Sequence, residues 1–167
     1  PMIRHTLLAI PVALSLHAGA ALAAGPLPIG ATMPMADTKM QNVDGKENDL
    51  AEIKKPAGTL VVFTCNHCPF AKKWESRIIE LGNTYQAKGI GFVAINANDP
   101  SIVPGDSFEF MITRAKDKGF PFPYLHDESQ AIATAYGARV TPHIYLLDAS
   151  GKLAYRGRVD NSVKVDE

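Results

Sequence analysis

The amino-acid sequence predicts an α/β fold, a central mixed sheet flanked by helices, and three observations predict it. The run Leu60-Val61-Val62-Phe63-Thr64 is uncharged and rich in β-branched residues, as a strand buried on both faces would be. It passes directly into a stretch with apolar residues at Phe70, Trp74, Ile78, Ile79 and Leu81. Lys72, Lys73, Glu75, Arg77 and Glu80 fill the other side, which is a helical period. A second uncharged run, Ile90 to Ile95, follows, and a strand–helix–strand unit of this length predicts a right-handed parallel crossover.

The remaining elements follow in chain order. Arg4, the apolar stretch Leu7 to Leu16 and the small residues Ala21-Leu22-Ala23 predict a signal peptide over 1–24, a mature start near Ala24, and a periplasmic or secreted protein. Pro11, Ser15 and His17 interrupt the apolar stretch, which falls short of the about 20 residues a membrane span needs. Residues 25–35, rich in Pro and Gly, read as a linker, with the domain proper over 36–159. Asp44-Gly45 between Met40–Val43 and Glu47–Leu50 predicts an opening β-hairpin, and Asp49 caps a short helical turn to Ile53. Met33, Met35 and Met40 read as core filling.

The long helix is expected to end near Gly89. The crossover brings Asn96 to Pro100 to the same sheet edge as Cys65, where open α/β sheets bind ligands; Asn98 and Asp99 otherwise read as turn and capping residues. A helix is predicted over Pro104 to Lys118, with Phe108, Met111, Ile112 and Ala115 on one face, broken by Gly119 to Pro123. Tyr124-Leu125 adds a short strand, Asp127 or Ser129 caps a helix to Tyr136, and Gly137 ends it. Ile144 to Leu147, the turn Asp148 to Gly151, and Leu153 to Arg156 form a closing hairpin. Residues 160–167 read as a truncated tail, too short and polar for another helix, leaving one sheet face incompletely covered.

The 17 basic and 17 acidic residues balance, and no basic block occurs, which argues against a nucleic-acid partner. Cys65 and Cys68 are the two cysteines of the 167 residues, set as Cys-Asn-His-Cys on the strand–helix joint. A disulfide closing so small a loop contributes only about 2 kcal/mol, so the pair suits chemistry better than stapling. A helix N-terminus favours a thiolate, and a protonated His67 would add positive charge. On this reading Cys65 is an exposed nucleophile of lowered pKa. Cys68, one turn into the helix and more buried, is the resolving thiol.

With this motif, and with Thr141-Pro142 ahead of a second apolar strand, the chain from about Gly30 to Val159 resembles the thioredoxin-fold family. It is most similar to the redoxin branch, which holds peroxiredoxin-like proteins of the alkyl hydroperoxide reductase and thiol-specific antioxidant type. The resemblance implies a thioredoxin-like fold with a redoxin-type insertion before the Thr-Pro strand. It implies catalysis by Cys65 and Cys68, with His67, Thr141 and Pro142 tuning them or binding substrate. Pro142 is expected in cis beside Cys65, with Thr141 offering its backbone to an extended substrate.

The implied function is thiol-disulfide oxidoreduction through a mixed disulfide, without a cofactor. Its partners would be protein or small-molecule thiols and disulfides and a membrane or soluble thiol electron donor. The chain also departs from the family. Leu60 to Phe63 is wholly apolar, so thioredoxin's buried aspartate has no match, and Glu75 is the candidate base for Cys68. The peroxiredoxin signature sets a threonine or serine three residues before its cysteine; here Val62 stands so to Cys65, and Cys65 so to Cys68. Arg139 approximates the peroxidatic arginine. Two alternatives stay open: a thiol-dependent peroxidase, and a periplasmic copper carrier using Cys65, Cys68 and either His67 or His143. His126 and His143 are unassigned, and the sequence does not set the oligomeric state.

Overall fold

The computed structural model describes residues 25–161; the expected signal peptide and the end of the tail lie outside the described residues. Asp44-Gly45 turns the chain as its residue types dictate, with Gly45 at φ +84° and antiparallel strands β1 (Met40–Asn42) and β2 (Glu47–Asn48) on either side. Asp49 caps α1 (Leu50–Ile53) with a reciprocal capping box: its carboxylate accepts from the Glu52 N–H at 2.8 Å, and that of Glu52 accepts from the Asp49 N–H at 3.3 Å.

The crossover is β3 (Thr59–Phe63), α2 (Pro69–Gln86) and β4 (Gly91–Asn96), with β3 and β4 parallel and Leu60 opposite Phe92. Next come α3 (Phe108–Lys118), β5 (Tyr124–His126), α4 (Ala131–Tyr136), β6 (His143–Leu147) and β7 (Leu153–Gly157). The seven strands lie in the order β2-β1-β5-β4-β3-β6-β7. β4 and β5 are parallel, and β6 is antiparallel to β3, so the sheet is mixed, with β4 at its middle and β3 between β4 and β6.

Side chains alternate between two buried layers. Val61, Phe63, Val93, Ile95, Tyr145 and Leu147 pack with α1 and α4 through Leu50, Ile53, Ile132 and Tyr136. Val62, Phe92, Ala94 and Ile144 pack on the other face with Ile78 of α2 and Met111 and Ala115 of α3. On this second face an apolar groove of about 310 Å³ runs between Leu60, Leu81, Tyr85, Ile144, Leu146 and Tyr155. Beyond β7, Asp160 accepts from the Trp74 indole at 3.0 Å and pairs with Arg77, fastening the chain to α2.

Several expectations need correction. Residues 25–35 are packed on the domain: Leu27 and Met33 are buried, and Gly30 donates its N–H to the Leu153 carbonyl at 2.7 Å. The helix expected over Pro104 to Lys118 is a 3₁₀ turn (Pro104–Asp106) followed by α3, because the Ser107 hydroxyl caps the second segment. Ile112, placed on its buried face, is 41% exposed. Neither Asp127 nor Ser129 is the N-cap of α4; Gln130 holds that place, while Asp127 accepts from the Ala133 N–H at 2.8 Å.

Candidate functional site

The end of β3 delivers the cysteine loop to the sheet edge where β4 also ends. The Thr64 N–H bonds the Ile95 carbonyl at 2.9 Å, and the chain then leaves the sheet as Cys65-Asn66-His67-Cys68. Pro69 starts α2, because a residue without an N–H fits the first helical position; Cys68 is therefore the N-cap and not one turn inside. This overturns the expected exposures. Cys65 is 3% exposed and Cys68 is half-buried, both as free thiols.

Thr141 meets both sulfurs. Its Oγ1 lies 3.3 Å from Cys65 Sγ, and its carbonyl accepts from Cys68 Sγ at 3.4 Å. The Thr141-Pro142 bond is cis, and Pro142 is buried. Burial, reinforced by the negative charge of Asp106, pushes the Cys65 thiol up, against the opposing Thr141 hydrogen bond. At Cys68 burial also pushes upward, but Thr141, the N–H groups of Ala71 and Phe70 at the start of α2, and Cys65 outweigh it and hold the thiol below its ordinary value. The expected lowered thiol thus falls on Cys68.

His67 does not stand as a lone positive charge beside the sulfurs. Its Nδ1 is 3.9 Å from Cys65 Sγ and 2.6 Å from Oδ2 of Asp106, whose side chain is 0% exposed. Asp106 was missed by the sequence reading, lying about forty positions away inside an expected helix; a Pro-Gly-Asp turn gives no sign of its target. Its Oδ1 accepts from the N–H groups of Asn66 and His67 at 2.6 and 3.1 Å, and Asn98 Nδ2 donates to Oδ2 at 2.7 Å. Asn98 is thus part of the wall, as its place after β4 implied, whereas Asp99 turns outward and caps Ser101.

Glu75, the candidate base, lines a small cavity beneath Cys65 and is paired with Arg114 at 2.6 Å, so it does not serve Cys68. His143 is 3.1 Å from the Tyr145 hydroxyl, and burial pushes its pKa down. A cleft of about 340 Å³ opens next to the loop, lined by Phe63, Thr64, Asn98, Arg139, Val140 and Thr141. Cys65, His67 and Asp106 place a sulfur, a nitrogen and a carboxylate within 4.8 Å, a set that suits a borderline cation. Asp106 already accepts four hydrogen bonds, one of them the imidazole's, so a metal would have to displace that bond.

The AhpC/TSA family profile matches residues 29–156. The chain belongs to the AhpC/TSA family. Among solved structures, an uncharacterized conserved protein from Geobacillus kaustophilus is 42% identical, with 84% of this chain and 74% of that one covered and a TM-score of 0.79. The thioredoxin domain of a thiol-disulfide oxidoreductase from Bacteroides vulgatus is 18% identical over 78% of this chain and 88% of that one; its TM-score of 0.65 shows the thioredoxin-like fold alone. Among curated relatives, the thiol-disulfide oxidoreductase ResA of Halalkalibacterium halodurans is 25% identical over 115 residues, 68% of this chain. This AhpC/TSA family chain spans 60% of that relative's length.

Proposed function

We propose that this protein is a thiol-disulfide oxidoreductase in which Cys68 attacks and Cys65 resolves. The observation that carries the reading is the unequal placement of the thiols: Cys68 is accessible at the N-terminus of an 18-residue helix, and Cys65 is buried behind it against the same threonine. The Cys68 thiolate attacks one sulfur of a substrate disulfide, forms a mixed disulfide, and releases the first substrate thiolate, which takes up a proton. Cys65 then loses its proton and attacks Cys68 Sγ. The second substrate thiolate leaves with the Cys65 proton. Counted from the dithiol, whose Cys68 proton was lost in forming the thiolate, the protein has given up two electrons and two protons as Cys65 and Cys68 join.

A thiol donor must reverse this, and the leader pattern over 1–24 supports an oxidising compartment as the place of action. The name of the ResA relative supports the same chemistry. Trapping tests it: Cys65→Ser should accumulate a covalent adduct with a disulfide substrate, and Cys68→Ser should form none. Adducts confined to Cys68→Ser would reverse the order. Rapid consumption of hydroperoxide by the reduced protein, without disulfide reduction, would favour the peroxidase reading.

A further inference from the structure

Asp106 reaches the cysteine loop from outside the crossover, and nothing in the exchange chemistry uses it directly. Burying a carboxylate costs several kcal/mol unless it is fully bonded. Here both oxygens are saturated, and three of the four donors belong to the two residues between the cysteines: the N–H of Asn66, the N–H of His67 and the His67 imidazole. Asn66 is held further by its own side chain, which donates to the Gly105 carbonyl at 3.1 Å and accepts from the Tyr124 hydroxyl at 3.0 Å. Burial pushes the Tyr124 pKa far up, so that phenol keeps its proton. The loop's middle is fixed from the 3₁₀ turn and β5, so the depth of each sulfur is set from elements other than those that carry it.

We propose that Asp106 is a positioning residue that assigns the two cysteines their separate roles, clamping Asn66 and His67 so that Cys65 stays sunk against Thr141 while Cys68 stays at the open end of α2. The proposal rests on the reading of Cys68 as the attacking thiol. Asp106 acts in a second way, through its charge, which opposes a second negative charge on Cys65. The other groups around Cys65 are His67 and Cys68 on its own loop, and Glu75, Arg114 and Tyr124 across the small cavity. Glu75 and Arg114 pair with each other, and Tyr124 keeps its proton, which among the described residues leaves Asp106 as the buried charge that faces the loop. Asp106 thereby favours the thiol form of Cys65 until Cys68 has reacted.

The test is competitive alkylation of the reduced full chain with limiting iodoacetamide, the label at each cysteine counted by peptide mass spectrometry across a pH series. The unaltered protein should carry its label on Cys68. In Asp106→Asn, the Cys65-to-Cys68 labelling ratio should rise at least about tenfold, one pK unit's worth, with the Cys65 midpoint moving to lower pH. An unchanged ratio and midpoint in a variant with native near-ultraviolet circular dichroism would overturn the role of Asp106. Should that variant not fold, Asn98→Ala loosens the same carboxylate without touching the loop; its ratio should rise about threefold, half a pK unit's worth, and an unchanged ratio would equally overturn the role. Label on Cys65 in the unaltered protein would instead overturn the attack assignment itself, whereas label on Cys68 in every form leaves that assignment standing and removes only Asp106.

Discussion

Replacing Thr141 with valine takes away one hydroxyl and leaves the carbonyl that Cys68 bonds in place. The hydroxyl lies 3.3 Å from Cys65 Sγ, and Thr141 lowers the thiol pKa of both cysteines. A hydrogen bond of this kind is worth about 1 kcal/mol. At about 1.4 kcal/mol per pK unit, its loss raises a thiol by roughly 0.7 units. Below the midpoint that cuts the thiolate fraction about fivefold, and the alkylation rate of Cys68 at neutral pH should fall by the same factor. Ultraviolet thiolate absorbance against pH, read in Cys65→Ser and Cys68→Ser backgrounds, separates the two sulfurs. A profile for Cys68 that does not move in Thr141→Val, in a protein that still folds, would refute the idea that the hydroxyl supports both thiolates.

The same pKa directions fix how stability depends on pH. Cys68 titrates low when folded, so its contribution is full above the ordinary thiol value of about 8.5 and is lost as pH falls through the folded pKa. Cys65 titrates high when folded, so its contribution is full below that value and is lost as pH rises through its own raised pKa. Urea unfolding of the reduced protein across neutral and alkaline pH, compared with each serine variant, should show these opposite slopes. Gly91→Ala should destabilise by about 1–3 kcal/mol, because the added Cβ falls on the Ile53 backbone carbonyl, which cannot swing aside; a variant as stable as the parent by thermal unfolding would count against that clash.

Local chemistry made most of the fold legible. The Asp44-Gly45 hairpin, the Asp49 cap, the buried runs of β3, β4 and β6 and the Gly137 stop each rest on residue types that act on their near neighbours. The reading failed where neighbours were distant. Residues 25–35 looked like a linker because Pro and Gly dominate them, yet Leu27 and Met33 find the core across the chain. The cysteine motif marked the place of the site but not the order of its thiols. That order depends on where α2 begins, which Pro69 decides, and on Asp106, whose partners lie in another segment. His67 next to Cys68 suggested a positive influence; its Nδ1 is instead bonded to a buried carboxylate, which brings a negative group to the loop.

The bond between Cys68 and the Thr141 carbonyl needs the sulfur to carry a hydrogen. As a thiolate, or joined to another sulfur, Cys68 has none to give, and that carbonyl loses its donor. A backbone N–H from an extended peptide could then take the vacant lone pair. Affinity at this carbonyl would follow the bookkeeping of a single proton: open while the sulfur is deprotonated or bonded to sulfur, closed once the thiol re-forms. The disulfide form would hold its acceptor out to a peptide, and the reduced form with Cys68 protonated would have it filled from within.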